Sequence, residues 1–197
     1  MMANGYHAVP PGKIAAVVTC LEMRRRPGLG QSTPPPGMQL VRKRRPDPGW
    51  YRRLFREIGE PWLWFSRLQP SDRELAAILH DDAVEVYALE TQGRAVGLVE
   101  LDRRGFPDIE LAFFGVLPAF TGRGIGRWMI GEAIARAFAH RPRRFWVHTC
   151  TFDHPAALSF YMRAGFVPYA RMIEIADDPR LTGLLPRDAA PHVPLIA

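Results

Sequence analysis

GVLPAFTGRGIGRWMI, residues 115–130, crowds Gly122, Gly124 and Gly126 into the place where a helix has to begin. Glycine loses more conformational freedom on folding than any other residue, so a run of it at a helix start needs a reason. An apolar, strand-like run ends at Leu117 and Pro118. Beyond the glycines, Ile125, Met129, Ile130, Ala133, Ile134, Ala137 and Phe138 recur at helical spacing. The order is strand, glycine turn, helix. A helix N-terminus leaves its first four amides without intrahelical partners and carries about half a positive charge. Phosphate oxygens satisfy both, and glycines let a ligand approach the main chain without a Cβ in the way. Arg123 and Arg127 add charge-assisted donors at the rim. The competing explanation is a tight turn with close helix packing. A Walker loop is disfavoured, because no Lys-Ser/Thr pair follows the spacer. A dinucleotide fingerprint is disfavoured as well, because it belongs to the first strand-helix unit of a parallel sheet.

The strands before the turn are of another kind. AVEVYALE (83–90), RAVGLVELDRR (94–104) and DIELAFFGVLP (108–118) alternate in polarity and are parted by TQGR and GFPD, which predicts an antiparallel three-stranded meander. Further upstream, MQLVRKR (38–44) is a short strand candidate. In PDPGWYRRLFREIG, Asp47 is placed to cap a helix that starts at Pro48; Trp50, Tyr51, Leu54, Phe55 and Ile58 form its apolar stripe and Gly59 ends it. Ser71 and Glu74 have capping-box spacing for a second helix over 72–80. Downstream, RFWVHTC (144–150) reads as a buried strand. DHPAALSFYMRAGF reads as a short helix entered through Asp153 and Pro155 and closed by Gly165, and FVPYARMIEI (166–175) as a last strand.

At 197 residues, 47% hydrophobic and 23% charged, the chain has the make-up of one soluble domain. Residues 1–37, a Pro/Gly/Arg mixture without a sustained period, are expected to lack regular structure or to be an extension; the domain is expected to span 38–176, with 177–197 as a tail. No run approaches the roughly 18 to 20 apolar residues of a membrane span. IAAVVTCLEM (14–23) is short, lacks a cleavage pattern and runs into Arg24–Arg26, unlike a signal peptide. Two cysteines, Cys20 and Cys150, indicate neither a disulfide framework nor a metal cluster, and a reducing cytoplasm is the expected compartment. His148 and His154 lack paired metal-ligand spacing and are expected to be structural. The net charge of +6 is spread along the chain except for RRR (24–26) and RKRR (42–45), and such a basic balance suits nucleic acid, an anionic membrane or a polyanionic cofactor, or is a solvated basic surface.

Taken in order, these segments resemble the GNAT superfamily of N-acetyltransferases. TGRGIG (121–126) is similar to its acetyl-CoA signature, Gln/Arg-x-x-Gly-x-Gly/Ala, with Thr121 in the first place. HPAALSFYMRAGF (154–166) is similar to its Asn-x-x-Ala-x-x-Phe-Tyr-x-x-x-Gly-Phe segment, with His154 where asparagine is usual. The resemblance covers roughly residues 38–176. It implies an α/β (α+β) fold with a central mixed, mostly antiparallel sheet flanked by helices, its fourth and fifth strands splayed. It implies acetyl-CoA as acyl donor, with the pantetheine arm beside Phe114, Gly115 and Val116. The pyrophosphate would lie on the amides of Arg123, Gly124, Ile125 and Gly126, near Arg127, with a further contact from the position of His154.

An acetyl group would then pass directly to a primary amine of a small molecule or to a protein amino group. Attack needs a neutral amine, and a lysine-type amine with a reference pKa near 10.4 is mostly protonated at neutral pH, so a base or water chain must take a proton. Glu110 matches the family's fourth-strand base; alternation puts it with Ala112 and Phe114, opposite Leu111 and Phe113. Glu100 on the neighbouring strand competes with it, and either could be a solvent-facing carboxylate. Tyr161 matches the family's general acid. A phenol near 10 protonating a thiolate near 8.5 is uphill by about 1.5 units, roughly 2 kcal/mol, and an apolar site raises the thiolate's proton affinity. PWLWF (61–65) lies between the first two helices, where the resemblance implies an acceptor pocket, although such aromatic residues are more often core. Two other classes stay open, a non-catalytic acyl-CoA-binding or regulatory module and a nucleic-acid binder using RKRRPDPGWYRR (42–53). CoA phosphates explain the basic charge more simply, no membrane partner is expected, and the oligomeric state, a homodimer included, is left open.

Overall fold

Lys13–Met23, inside the segment expected to lack regular structure, is a strand, β1, in the computed structural model, which describes residues 3–28 and 33–197. Residues 1–2 and 29–32, which belong to the same expectation, lie outside the described residues. β1 forms because Ile14, Ala16, Val18 and Cys20 alternate into one face of the sheet while Leu21 and Met23 reach the core on the other. The strands that follow are β2 (Met38–Lys43), β3 (Val84–Thr91), β4 (Arg94–Asp102), β5 (Asp108–Val116), β6 (Arg144–Cys150) and β7 (Val167–Asp177). They make one open sheet in the order β2-β3-β4-β5-β6-β1-β7. Every neighbouring pair is antiparallel except β5 and β6, which run parallel. The sheet is thus mixed and mostly antiparallel, as expected, with β1 filling a place between β6 and β7.

The helices are α1 (Pro48–Gly59), α2 (Asp72–Leu79), α3 (Ile125–Ala139) and α4 (Ala157–Arg163). Both predicted caps form: the Asp47 carboxylate accepts from the Trp50 amide at 2.7 Å, and Ser71 and Glu74 complete a capping box. Tyr51, Phe55 and Ile58 of α1 are buried over β4 and β5. α3 and α4 cover the other face, where Phe138 and Phe166 pack against Phe145 and Phe160 stacks on Phe114.

One irregularity matters for the site. Across β4 and β5, Glu100 faces Phe113 but Leu101 faces Leu111, so Ala112 is an extra residue on β5, a β-bulge. Past β7 the chain also stays packed. Asp178 and Arg180 are almost wholly buried and pair at 2.7 Å, while Arg180 donates to the carbonyls of Ala189, Val193 and Pro194. The Gly12 amide donates to the Ile196 carbonyl at 3.1 Å, which brings both terminal segments together. Two charges of the basic run at 42–45 are matched within the sheet, Arg42 by Glu85 and Lys43 by Glu90. Among the described residues no helix is long and apolar enough to cross a membrane.

Candidate active site

The glycine turn leaves its amides unused. α3 starts after Gly124, which caps it without a side chain, and among the described residues the amides of Gly122 to Gly126 donate to no protein acceptor. Gly122 and Gly124 both have φ of 75°, and a Cβ on either would project into open space. An L residue strains to adopt that backbone. Gly126 differs, because a Cβ there would make ordinary contact with the Phe160 ring at 3.5 Å. The Thr121 hydroxyl donates to the Pro118 carbonyl, so this short side chain closes the turn that leads into the glycines. Arg127 borders the cavity in front of the turn, while the Arg123 guanidinium lies over the Phe120 ring, 5.7 Å from its centroid.

That cavity, about 1350 Å³, passes through the sheet. β5 and β6 are paired only at Asp108–Arg144, Ile109–Phe145 and Glu110–Trp146; beyond Glu110 they diverge. This is the expected splay, between the fifth and sixth strands in chain order because β1 precedes the others. Phe114, Gly115 and Val116 border the gap along an edge of β5 that β6 no longer pairs. The lack of a side chain at Gly115 serves packing, since a Cβ there would come within 2.6 Å of Ile58 on α1. Gly124, Phe160 and Tyr161 reach the cavity from one face of the sheet, and Glu110, Phe113 and Trp64 from the other.

The bulge decides which carboxylate reaches the gap. With Ala112 left over, Glu110 shares a face with Phe113, and Phe114 turns to the opposite face against Phe160 and Tyr161. Simple alternation predicted the reverse pairing of faces. Glu110 borders the cavity with its side chain 23% exposed. Glu100 is wholly buried and engaged: Arg67 donates to one oxygen at 2.6 Å and the Tyr51 hydroxyl to the other. Burial, with the Glu100 charge, pushes the Tyr51 phenol well above its usual range, so it remains a donor. Glu100 thereby pins α1 and the following segment to the sheet, and does not line the cavity.

Trp62, Leu63, Trp64 and Phe65 of the aromatic segment wall the cavity. Asp153 holds this wall to the end of β6, accepting from Trp64 Nε1 at 3.1 Å, the Thr149 hydroxyl at 2.7 Å and the Cys150 amide at 2.9 Å. Trp62 packs edge-on against His154, with centroids 5.1 Å apart, and near His192 of the C-terminal segment. His154 also borders the cavity; its Nδ1 accepts from the Ala156 amide at 3.1 Å, which leaves the proton of the neutral ring on Nε2.

Tyr161 is 8% exposed. Its backbone is fixed by the closure of α4, where Phe166 N donates to Tyr161 O at 3.1 Å, Gly165 N donates to Met162 O at 3.0 Å, and Gly165 takes a positive φ of 101°. Among the described residues its hydroxyl makes no hydrogen bond. Burial, and then the Asp153 charge, push the phenol far above its usual range, so it holds its proton across the working range of any enzyme. Cys150 also faces the cavity, with its thiol pushed up to about 11, mainly by burial. Only about one molecule in 10⁴ would carry the thiolate at pH 7, which argues against an acyl-cysteine intermediate.

His148, expected to be structural, opens into the cavity instead, its Nδ1 3.3 Å from Glu110 Oε1. The alternation of RFWVHTC already puts Trp146, His148 and Cys150 on one face. The partner across the gap has no local signal, because β5 and β6 meet through a crossover that contains α3.

The description of the acetyltransferase (GNAT) family fits residues 50–166. No curated protein sequence matches the chain. Among solved structures, a putative GNAT acetyltransferase from Novosphingobium aromaticivorans is 18% identical, with a TM-score of 0.55 over 85% of this chain and 67% of its own. A GCN5-related N-acetyltransferase from Sphaerobacter thermophilus is 17% identical, with a TM-score of 0.58 over 87% of this chain and 53% of its own. An aminoglycoside acetyltransferase from an uncultured soil metagenomic sample, solved with sisomicin, is 15% identical, with a TM-score of 0.54 over 66% of this chain and 88% of its own. The chain thus spans between about half and two-thirds of the length of the first two. At these identities the likeness is one of fold.

Proposed function

The chain belongs to the acetyltransferase (GNAT) family, and from that premise we propose that it transfers an acetyl group from acetyl-CoA directly to a primary amine of a small molecule or a protein. The observation that carries this reading is one through-sheet cavity with unused amides and Arg127 at one end and Glu110 and Tyr161 at the gap. The donor fits the residues present. The open positions at Gly122 and Gly124 admit a pyrophosphate to the amides of residues 122–126, Arg127 adds charge, and the unpaired edge at Phe114 to Val116 offers backbone groups to an extended amide arm. His154 Nε2 is a further donor at the rim. Bound acetyl-CoA would supply an electrophilic acyl carbon and a thiolate leaving group.

The chain's own residues then divide the remaining work. Glu110 stands on the opposite face from the turn, where an acceptor can enter without displacing the donor, and its carboxylate supports removal of a proton from the ammonium. Glu174 adds a carboxylate near Glu110 that suits a cationic acceptor, whereas Asp102 is paired with Arg104 at the cavity wall. Tyr161 holds a proton close to the donor side and yields it to the departing sulfur. The apolar walls that raise the phenol also raise the thiolate's affinity for that proton.

The test is a panel of acceptors, comprising small amines, amino acids, aminoglycosides and lysine peptides, scored for acetyl-CoA-dependent thiol release. The expected result is release with at least one acceptor, and intersecting double-reciprocal plots that report a ternary complex. Tight acetyl-CoA binding with no release from any acceptor would overturn the reading in favour of a binding module.

A further inference from the structure

Of the ionisable groups around the cavity, His148 has no task in the transfer described above. It lies two residues beyond Trp146, which pairs with Glu110, so it sits on the Glu110 face where the strands begin to part. Its Nδ1 is 3.3 Å from Glu110 Oε1, and its side chain is 46% exposed. Nε2 has no partner among the described residues. A carboxylate at one imidazole nitrogen selects the tautomer that leaves the other as an acceptor, and it stabilises the imidazolium once that acceptor is protonated.

The groups that act most strongly on this ring are Glu110 on β5, Glu174 on β7 and Asp153 after β6, with Cys150 on its own strand and Cys20 opposite it on β1; Arg67 and Arg104 also line the cavity, each paired with a carboxylate, Glu100 and Asp102. The Glu110 carboxylate, helped by Asp153 and Glu174, holds the imidazole above its ordinary range against the contrary effect of burial. For the chemistry the match matters, because an ammonium near 10.4 is about six units from an ordinary glutamate but only about four from an ordinary imidazole.

Resting on the transfer reading above, we propose that His148 and Glu110 form one base, Nε2 taking a proton from the acceptor ammonium while Glu110 holds the imidazolium at Nδ1. The amine lone pair so freed forms the C–N bond as the C–S bond breaks. Of the three ammonium protons, one leaves through His148 to solvent. A second is lost as the amide forms and replaces the one Tyr161 gives to sulfur. The third stays on the amide nitrogen.

Two measurements test this, the pH dependence of kcat/KM for an acceptor from the panel and the NMR titration of the His148 ring, assigned by its disappearance in His148→Gln. In the wild type, activity rises with pH through one ionisation above 6.5, because only the neutral imidazole can accept. His148→Gln lowers kcat/KM by about 10²-fold or more and abolishes that limb. Glu110→Gln moves the limb and the NMR midpoint together to lower pH. A His148→Gln enzyme that keeps the wild-type limb overturns the proposal, as does a midpoint that stays put in Glu110→Gln. The titration needs no turnover, so a protein that releases thiol with no acceptor refutes the transfer reading and leaves the pair to be judged by its midpoint.

Discussion

Tyr161 keeps its proton because burial and a nearby carboxylate both penalise the phenolate. The role proposed for it, that of a proton donor, is thus open to it at any working pH, and two results follow. Tyr161→Phe, which keeps the ring and its packing on Phe114 and Phe166, is expected to lower kcat by about 10²-fold or more with little change in the KM for acetyl-CoA. The wild type is expected to show no loss of rate from Tyr161 ionisation up to about pH 10. A steady-state pH series on both proteins checks this, and full turnover in Tyr161→Phe would remove the assignment. The motif made Tyr161 legible. Choosing between Glu110 and Glu100 was beyond the sequence, because the choice hangs on one extra residue, Ala112, and on an arginine contact from residue 67. Thr121 departs from the family pattern, and its hydroxyl bond to Pro118 becomes visible only once the turn is folded.

Elements with local signals are legible in the sequence to within a few residues: the meander of β3 to β5, the two capped helices and the strand-turn-helix around Gly124. Their caps, turns and periodicities are all short-range. The glycines of one motif nonetheless do different work. Gly124→Ala puts a methyl in open space at a positive φ, and should raise the KM for acetyl-CoA about tenfold or more at a stability cost of about 1–2 kcal/mol. Gly115→Ala drives a methyl into Ile58, so overpacking of about 1–3 kcal/mol should lower Tm instead. Donor titrations and thermal melts of the two variants separate the roles. A Gly124→Ala variant that keeps the wild-type affinity for acetyl-CoA would remove the binding role given to the turn.

For the molecule as a whole, the missed part was β1. Its alternation is plain in hindsight, but Pro, Gly and Arg surround it and its partners lie more than a hundred residues away on β6 and β7, so no hairpin signal announces it. The C-terminal segment was missed in the same way, since Arg180 organises it through scattered carbonyls instead of a period. Asp178→Asn leaves the Arg180 charge buried without its counter-ion and is expected to destabilise by about 3–5 kcal/mol, read by urea unfolding. The wild-type Asp178 carboxyl is held below its usual range, so its contribution is present near neutrality and fades as acid protonates it. The position of β1 also bears on how the protein is made. During synthesis β1 leaves the ribosome long before either neighbour exists, and at roughly 5–20 residues per second the wait is on the order of ten seconds. Through that interval the nascent chain trails an apolar strand with both edges bare, a template for other chains. The exposed Arg24–Arg26 run directly behind it is the gatekeeper charge that such a wait calls for.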